Sequence, residues 1–401
     1  MTGATLANLV VMAAALASAA VLFLPRLQRA DAWRATVTPL ASIIGSGFLV
    51  LAPLLLREFG RHAVWAMTAL CASAYAVGGA IRFNIRSLAD AGGRSFDDPG
   101  ARRLDQVASW TLVFAYVVSV AYYLNLFGAF AVKLTPWQSP MAARIVTSSV
   151  LVLVASIGWW HGLRGMERAE GITVSFKLAV IAGLLAGLVC FALRTDPPSA
   201  VAAHAPSLDS LRLLLGLVIT VQGFETSRYL GEGHDADTRI RTMRYAQWAS
   251  SAVYLVYIGL VGMMFDASGV ALRETEVIDM MRPVASVLPA LLVAVALAAQ
   301  FSAAVADTNG AGGLVEEMSQ ARLPSRLAYV ALAALALALT WSADIFRIIS
   351  YASRAFAAYY ALQSAIACRL AWKRGRHGMA SWFGLIAVAM LLATLFGIPA
   401  E

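Results

Sequence analysis

The chain is poor in charge. Only 13% of its 401 residues are Asp, Glu, Lys or Arg, where a soluble domain carries roughly 25%. This excludes a cytosolic enzyme and a disordered chain. It has three cysteines, Cys71, Cys190 and Cys368, all inside apolar runs. Their spacing fits no metal or redox motif, which excludes a secreted disulfide scaffold and predicts no disulfide. No HExxH, P-loop or GxSxG occurs, and Gly45-Ser46-Gly47 lacks the third glycine and the strand of a dinucleotide fingerprint. The five histidines (62, 161, 204, 234 and 377) all fall in loops or at segment ends. No paired Asp, Ser/His or metal cluster converges, so the chain reads as neither an enzyme nor a metalloprotein and calls for no cofactor.

What it has in quantity is apolar surface. Sixty percent of residues are hydrophobic and the mean hydropathy is +0.71, more than a soluble fold of this length could bury. The sequence therefore reads as an all-α integral membrane protein. Apolar runs of helix length occur at 4–24, 38–56, 62–81, 107–132, 144–160, 172–193, 211–230, 245–265, 284–306, 327–341, 345–368 and 380–398, twelve in all. None alternates as a barrel strand would, so helices satisfy the backbone. The first run has no basic residue before it and reads as an uncleaved helix; cleavage after an alanine is the alternative.

The net charge of +8 is an orientation signal rather than nucleic-acid affinity. Taking alternate loops as one side, those near 25–37, 82–106, 161–171, 228–244, 317–326 and 369–379 hold twenty Arg and Lys, and the opposite loops hold nine. The richer set is predicted to be cytoplasmic, which puts both termini outside. Trp110, Trp137, Trp159, Trp160, Trp341, Trp372 and Trp382 lie at segment ends as interfacial anchors. The longest basic loop, 82–106, reads as a solvated loop with one amphipathic turn.

Four places interrupt the apolar pattern. Gly45-Ser46-Gly47 sits near the middle of the second run, with Pro53 beyond it. Glycines there weaken a helix by roughly 1 kcal/mol each, and a broken helix frees backbone groups that membrane depth tolerates only around a cavity or ligand. Close packing through small residues is the alternative. Gln222, Gly223 and Glu225 follow a clean apolar stretch in the seventh run; Glu225 either faces a site or pairs with Arg228 near the cytoplasmic face. Lys177 lies inside the sixth run, where it either serves a function or snorkels to the interface. Arg354 lies deeper in the eleventh and wants a carboxylate or a water-filled cavity. Gly183 and Gly187 form a GxxxG that points to helix packing.

IIGSGFLVLAPL resembles the first core helix of the amino acid–polyamine–organocation superfamily. SLADAGGRSF followed by WTLVFAYVVSVAYYL, then GMERAEGITVSFKLAVI, then VQGFETSRYLGEG resemble its second-to-third, fifth and broken sixth helices in order, over roughly 38–372. The resemblance implies a secondary transporter with two inverted five-helix repeats, the five-plus-five (LeuT-like) fold, here 38–193 and 207–372. An extra helix and cytoplasmic loop (1–37) would precede the repeats, and a further helix (380–398) would follow them. It implies a substrate site at Ile44, Gly45, Ser46, Gly47, Gln222, Gly223, Phe224 and Glu225. Backbone N–H groups of the first break would take a carboxylate, carbonyls of the second an amine, and Phe224 would act as a gate.

It further implies that the Lys177 ammonium lies against carbonyls near Ala41–Ile44 and polar atoms such as Ser302, where relatives hold sodium. Transport would then be sodium-independent and open to proton coupling. Glu225 and Arg354, each costly alone in lipid, read from the residues themselves as functional charges and a candidate pair across helices. The partners would be a small amino acid or amine and the bilayer of the inner membrane, with oligomerisation left open and no nucleic acid. The chain departs from the family pattern in GHDADTRIRTMRY after the sixth core helix, in GGLVEEMSQARLP, and in Arg82 and Asn84 on the second core helix. Two alternatives are an inorganic-ion transporter on the same fold and a membrane sensor or scaffold without flux.

Overall fold

Helix after helix starts where the sequence supplies a cap. In the computed structural model, Asp98, Ser139, Ser207, Asp235 and Asp344 each accept from the backbone N–H three residues on, opening the helices Pro99–Lys133, Pro140–His161, Leu208–Leu215, Ala236–Met264 and Ile345–Lys373. Such a cap is worth about 1 kcal/mol, and Pro99 and Pro140 add a φ preset for the first turn. The structure describes residues 3–45, 47–93, 95–162, 170–196, 207–229, 234–265 and 273–398. Among these there is no β-strand.

In chain order the helices are α1 (Gly3–Leu22), α2 (Pro25–Gln28), α3 (Asp31–Ile43), α4 (Gly47–Phe59), α5 (Ala63–Asp90), α6 (Pro99–Lys133), α7 (Pro140–His161) and α8 (Glu170–Ala192). They continue with α9 (Leu208–Leu215), α10 (Ala236–Met264), α11 (Glu276–Met281), α12 (Leu288–Met318), α13 (Ser325–Ser342), α14 (Ile345–Lys373) and α15 (His377–Phe396). Each of the twelve apolar runs coincides with a helix or with a helix broken in two. Nine stretches among the described residues are long and apolar enough to cross a membrane, one of them joining α4 and α5 through a 3₁₀ turn at Gly60–His62. That joining merges two runs into one stretch, and the broken α9 segment and the polar α14 fall outside the set, which together account for the difference from twelve. The protein is an all-helical, multi-pass membrane protein.

α6 runs through the middle, with 78% of its most apolar stretch buried against 11% for α1. It packs on α12 and α14, while α10 packs on α3 and α5. The GxxxG of α8 receives α1: a Cβ at Gly183 would meet the Val11 carbonyl at 2.8 Å, and one at Gly187 the Val11 side chain at 2.7 Å. The seven tryptophans at segment ends are all exposed.

The 82–106 loop is corrected. α5 continues to Asp90 and α6 begins at Pro99, leaving eight residues between them, of which Arg94 lies outside the described set. Arg82 is buried inside α5, its guanidinium on Gln247 and over the Tyr75 ring at 4.7 Å. An apolar-run criterion ends a helix at its first charge; an internally partnered arginine does not.

Candidate functional site

Two interrupted helices meet at the centre. α3 stops at Ile43 and α4 resumes at Gly47; Ile44 and Gly45 lie between them, and Ser46, also assigned to the site, lies outside the described residues. In the seventh segment α9 ends at Leu215, a 3₁₀ turn covers Val218–Val221, Gln222 and Gly223 are non-helical, and a second 3₁₀ stretch covers Phe224–Tyr229. Gly223 has φ +114°, which favours glycine.

The two breaks touch. A Cβ on Gly47 would meet Thr220 Cα at 3.0 Å, and one on Gly223 would meet the Ser42 carbonyl carbon at 2.5 Å. Gly45 is not crowded across the breaks in this way: the nearest atom to a Cβ there would be the Ser42 carbonyl oxygen at the end of α3, at 3.3 Å.

Breaking α3 leaves carbonyls without helical donors. Side chains from other helices supply them. Lys177 Nζ of α8 donates to Ala41 O at 2.8 Å, and Tyr254 Oη of α10 lies 2.8 Å from Ile43 O and 2.8 Å from Thr220 O. Lys177 is buried, so it does not snorkel. The Ile44 N–H is held by Leu40 O at 3.0 Å, which corrects the expectation that it is free for a substrate carboxylate. Ser302 lies half-buried on α12.

At the second break Glu225 is fully buried, and its Oε2 accepts from the Gly223 N–H at 2.8 Å and from Tyr360 Oη at 2.7 Å. Its Oε1, Gln222 Oε1 and Ser227 Oγ are buried without a hydrogen-bond partner. Gln222 Nε2 donates to Tyr123 Oη at 3.0 Å. The Gly223 carbonyl accepts from the Thr226 hydroxyl at 2.7 Å. Phe224 is buried and stacks on Tyr360, ring centroids 5.2 Å apart. Beside both breaks a small cavity, with about 10 Å³ of room for a water-sized sphere, is lined by Ile43, Val221, Cys71, Gln247, Ser250 and Tyr254, among others.

Arg354 does not pair with Glu225. Its Nε donates to Thr394 O at 2.6 Å, tying α14 to α15. Nor does Arg228 pair with Glu225: its guanidinium reaches Asp105 at 2.6 Å and Gln363. Arg228 belongs to a network at the base-rich end, where Asp98 holds Arg369 and Lys373, Arg86 holds Asp237, and Arg374 lies 3.6 Å from Asp90. Hydrogen bonds from Arg369 and then Lys373 hold the Asp98 carboxyl well below the usual carboxylate range. At the opposite end one ion pair among the described residues joins different elements, Lys133 with Asp279 at 2.5 Å.

Several residues of the centre are absent from the sequence reading: Tyr123, Tyr254, Tyr360, Gln247 and, on α12, Asp307, which is buried against Ser119 of α6. An Asp within one turn of an apolar run was the available signal for the last.

The family model described as APC superfamily transporter matches residues 25–397. The chain belongs to the APC superfamily of transporters. A protein of Aquifex aeolicus (strain VF5), described only as uncharacterized, is 37% identical to it over 382 residues, covering 94% of this chain and 93% of the relative. The match takes in both breaks, α8 with Lys177, and the α12 carboxylate, so the whole central arrangement lies within the APC region of the chain.

Proposed function

We propose that this APC superfamily protein is a secondary active transporter of a small organic solute, an amino acid or related amine, working by alternating access. One observation carries the reading: two helices broken at membrane depth lie against each other, joined by Tyr254 on the carbonyls of Ile43 and Thr220 beside a cavity. Irregular backbone at that depth is tolerated where it lines a substrate path. The site would comprise Gly45, Ser46 and Gly47 on one side and Gln222, Gly223, Phe224 and Glu225 on the other. The unpartnered Gln222 Oε1 and Glu225 Oε1 suit an ammonium donor. The repeats 38–193 and 207–372 would move against each other around this point.

Lys177 supports sodium-independence. Its ammonium already bridges α8 to the end of α3, and a fixed cation there would repel Na⁺. The base-rich end, with its inter-helix ion pairs, would be cytoplasmic in an inner membrane, both termini would be outside, and the form described would be closed on the cytoplasmic side.

The test is a thermal-shift screen of the purified protein against amino acids and amines, followed by radiolabelled uptake of each hit into proteoliposomes. Stabilisation by one solute class with uptake is expected. Response to inorganic ions alone would replace the substrate class, and binding without flux would make the protein a sensor.

A further inference from the structure

Asp307 is a second carboxylate in the protein interior, and the breaks do not explain it. It is 6% exposed on α12, and among the described residues no Lys or Arg forms an ion pair with it. Its Oδ2 meets the Ser119 hydroxyl, which also lies 3.0 Å from the Tyr116 carbonyl of its own helix.

A hydroxyl has one hydrogen to give. If Asp307 is ionised, Ser119 donates to the carboxylate. If Asp307 carries a proton, its O–H donates to Ser119 Oγ, and the Ser119 hydrogen turns to Tyr116 O. The Asp307–Ser119 hydrogen bond is therefore kept in both protonation states on the same heavy-atom positions. This property suits a group that takes and releases a proton in every cycle, because the buried bond is not lost in either state.

The titratable groups that face Asp307 are Glu225 at the second break and Tyr116 and Tyr123 of α6, all within Coulombic range. On the other elements packed against α12, Lys177 of α8 is engaged with Ala41 O and Tyr329 of α13 with Asn309 Oδ1. Glu225 differs from Asp307: it accepts from a backbone N–H and a phenol and keeps one buried oxygen without a partner. Two carboxylates in one apolar interior, one supplied with donors and the other with a reversible hydroxyl, divide their roles.

We propose that Asp307, through its reversible hydrogen bond to Ser119, is the group that binds and releases the coupled proton, while Glu225 serves the substrate and Lys177 remains a fixed charge. The inference rests on the transporter reading for its role in flux but not for its chemistry. The bond made and broken is the Asp307 carboxyl O–H, with the proton exchanged with water.

The test uses purified full-length protein. Infrared difference spectra between mildly acidic and alkaline pH should show a protonated-carboxyl band that is lost in Asp307→Asn, shifted in Ser119→Ala and retained in Glu225→Gln. A band unchanged in Asp307→Asn overturns the proposal. Should that variant fold poorly, a band unshifted by Ser119→Ala overturns it instead. In liposomes loaded with a pH-sensitive dye, an equimolar mixture of proteinogenic L-amino acids should move acid through wild type. Asp307→Asn should lose that signal yet keep the thermal shift with the mixture. Acid movement through Asp307→Asn equal to wild type also overturns the proposal. If wild type responds to the mixture in neither assay, the amino-acid reading fails, and the infrared arm still decides Asp307.

Discussion

Tyr254 Oη lies 2.8 Å from the Ile43 carbonyl at the end of the first half-helix. The same oxygen lies 2.8 Å from Thr220 O at the second break, so one phenol holds two interrupted backbones in register. Its ring also packs on Phe48, centroids 5.6 Å apart. Tyr254→Phe keeps that packing and removes the donor. A buried acceptor left unsatisfied costs about 1–3 kcal/mol. The expected outcome is a melting temperature a few degrees lower, measured by thermal shift.

Gly47 and Gly223 should differ in kind when substituted. Alanine at Gly223 requires φ +114° and a Cβ 2.5 Å from the Ser42 backbone, a strain of about 1–3 kcal/mol plus a contact that only backbone movement relieves. Gly223→Ala should fail to give a monodisperse protein on size-exclusion chromatography. Gly47→Ala needs Thr220 to yield by a few tenths of an ångström and should fold while losing solute binding. Gly47→Leu, which sets a far larger side chain against the same Thr220 backbone, should instead destabilise the protein.

Lys177→Ala removes the donor to Ala41 O and leaves the end of α3 without it. Wild-type uptake should be equal in sodium and in choline medium, and Lys177→Ala should reduce it at least tenfold with surface expression retained. Uptake that requires sodium would refute the fixed-cation role.

The Asp98 latch carries its own pH signature. Its carboxyl is held below the usual range by Arg369 and Lys373, so its stabilising contribution is complete above the ordinary carboxylate pKa and is lost as pH falls through the depressed one. Asp98→Asn should therefore lower thermal stability by a constant amount at neutral and mildly acidic pH, the difference vanishing only in strong acid. In a Cys190→Ala, Cys368→Ala background, maleimide labelling of Cys71, which lines the cavity, should accelerate several-fold in Asp98→Asn.

Glu225 and Arg354 should behave independently. They have separate partners, Gly223 and Tyr360 for one and Thr394 for the other. A double-mutant cycle of Glu225→Gln with Arg354→Gln, read by thermal unfolding, should give a coupling energy within about 0.5 kcal/mol of zero.

The spans were legible because a bilayer demands long apolar runs, and Gly45-Ser46-Gly47 and Gln222–Glu225 were legible because each breaks such a run. Asp307 was not. α12 continues three turns past the apolar stretch, to Met318, and a polar residue there looks like the start of a loop until α6 is seen to cover it. Tyr254 was hidden for the opposite reason: in an apolar run an aromatic reads as filler, and its hydroxyl gains meaning only from two carbonyls far away in sequence. The Glu225–Arg354 pairing failed because a guanidinium inside an apolar run, here half-buried, can be satisfied by a neutral carbonyl, which charge counting does not see. Arg82 was misplaced for the same reason.

The cavity beside the breaks holds room for about one water, which has a thermodynamic consequence. At the proposed site, a solute larger than water would bind a conformer in which α3–α4 and the second break have parted, so its apparent affinity would be the intrinsic affinity scaled by the population of that conformer. Each 1.4 kcal/mol of closing preference weakens apparent binding tenfold. Substitutions that loosen the Tyr254 clasp without touching solute contacts therefore act on two quantities at once, weakening the assembled site while enriching the conformer that admits a ligand.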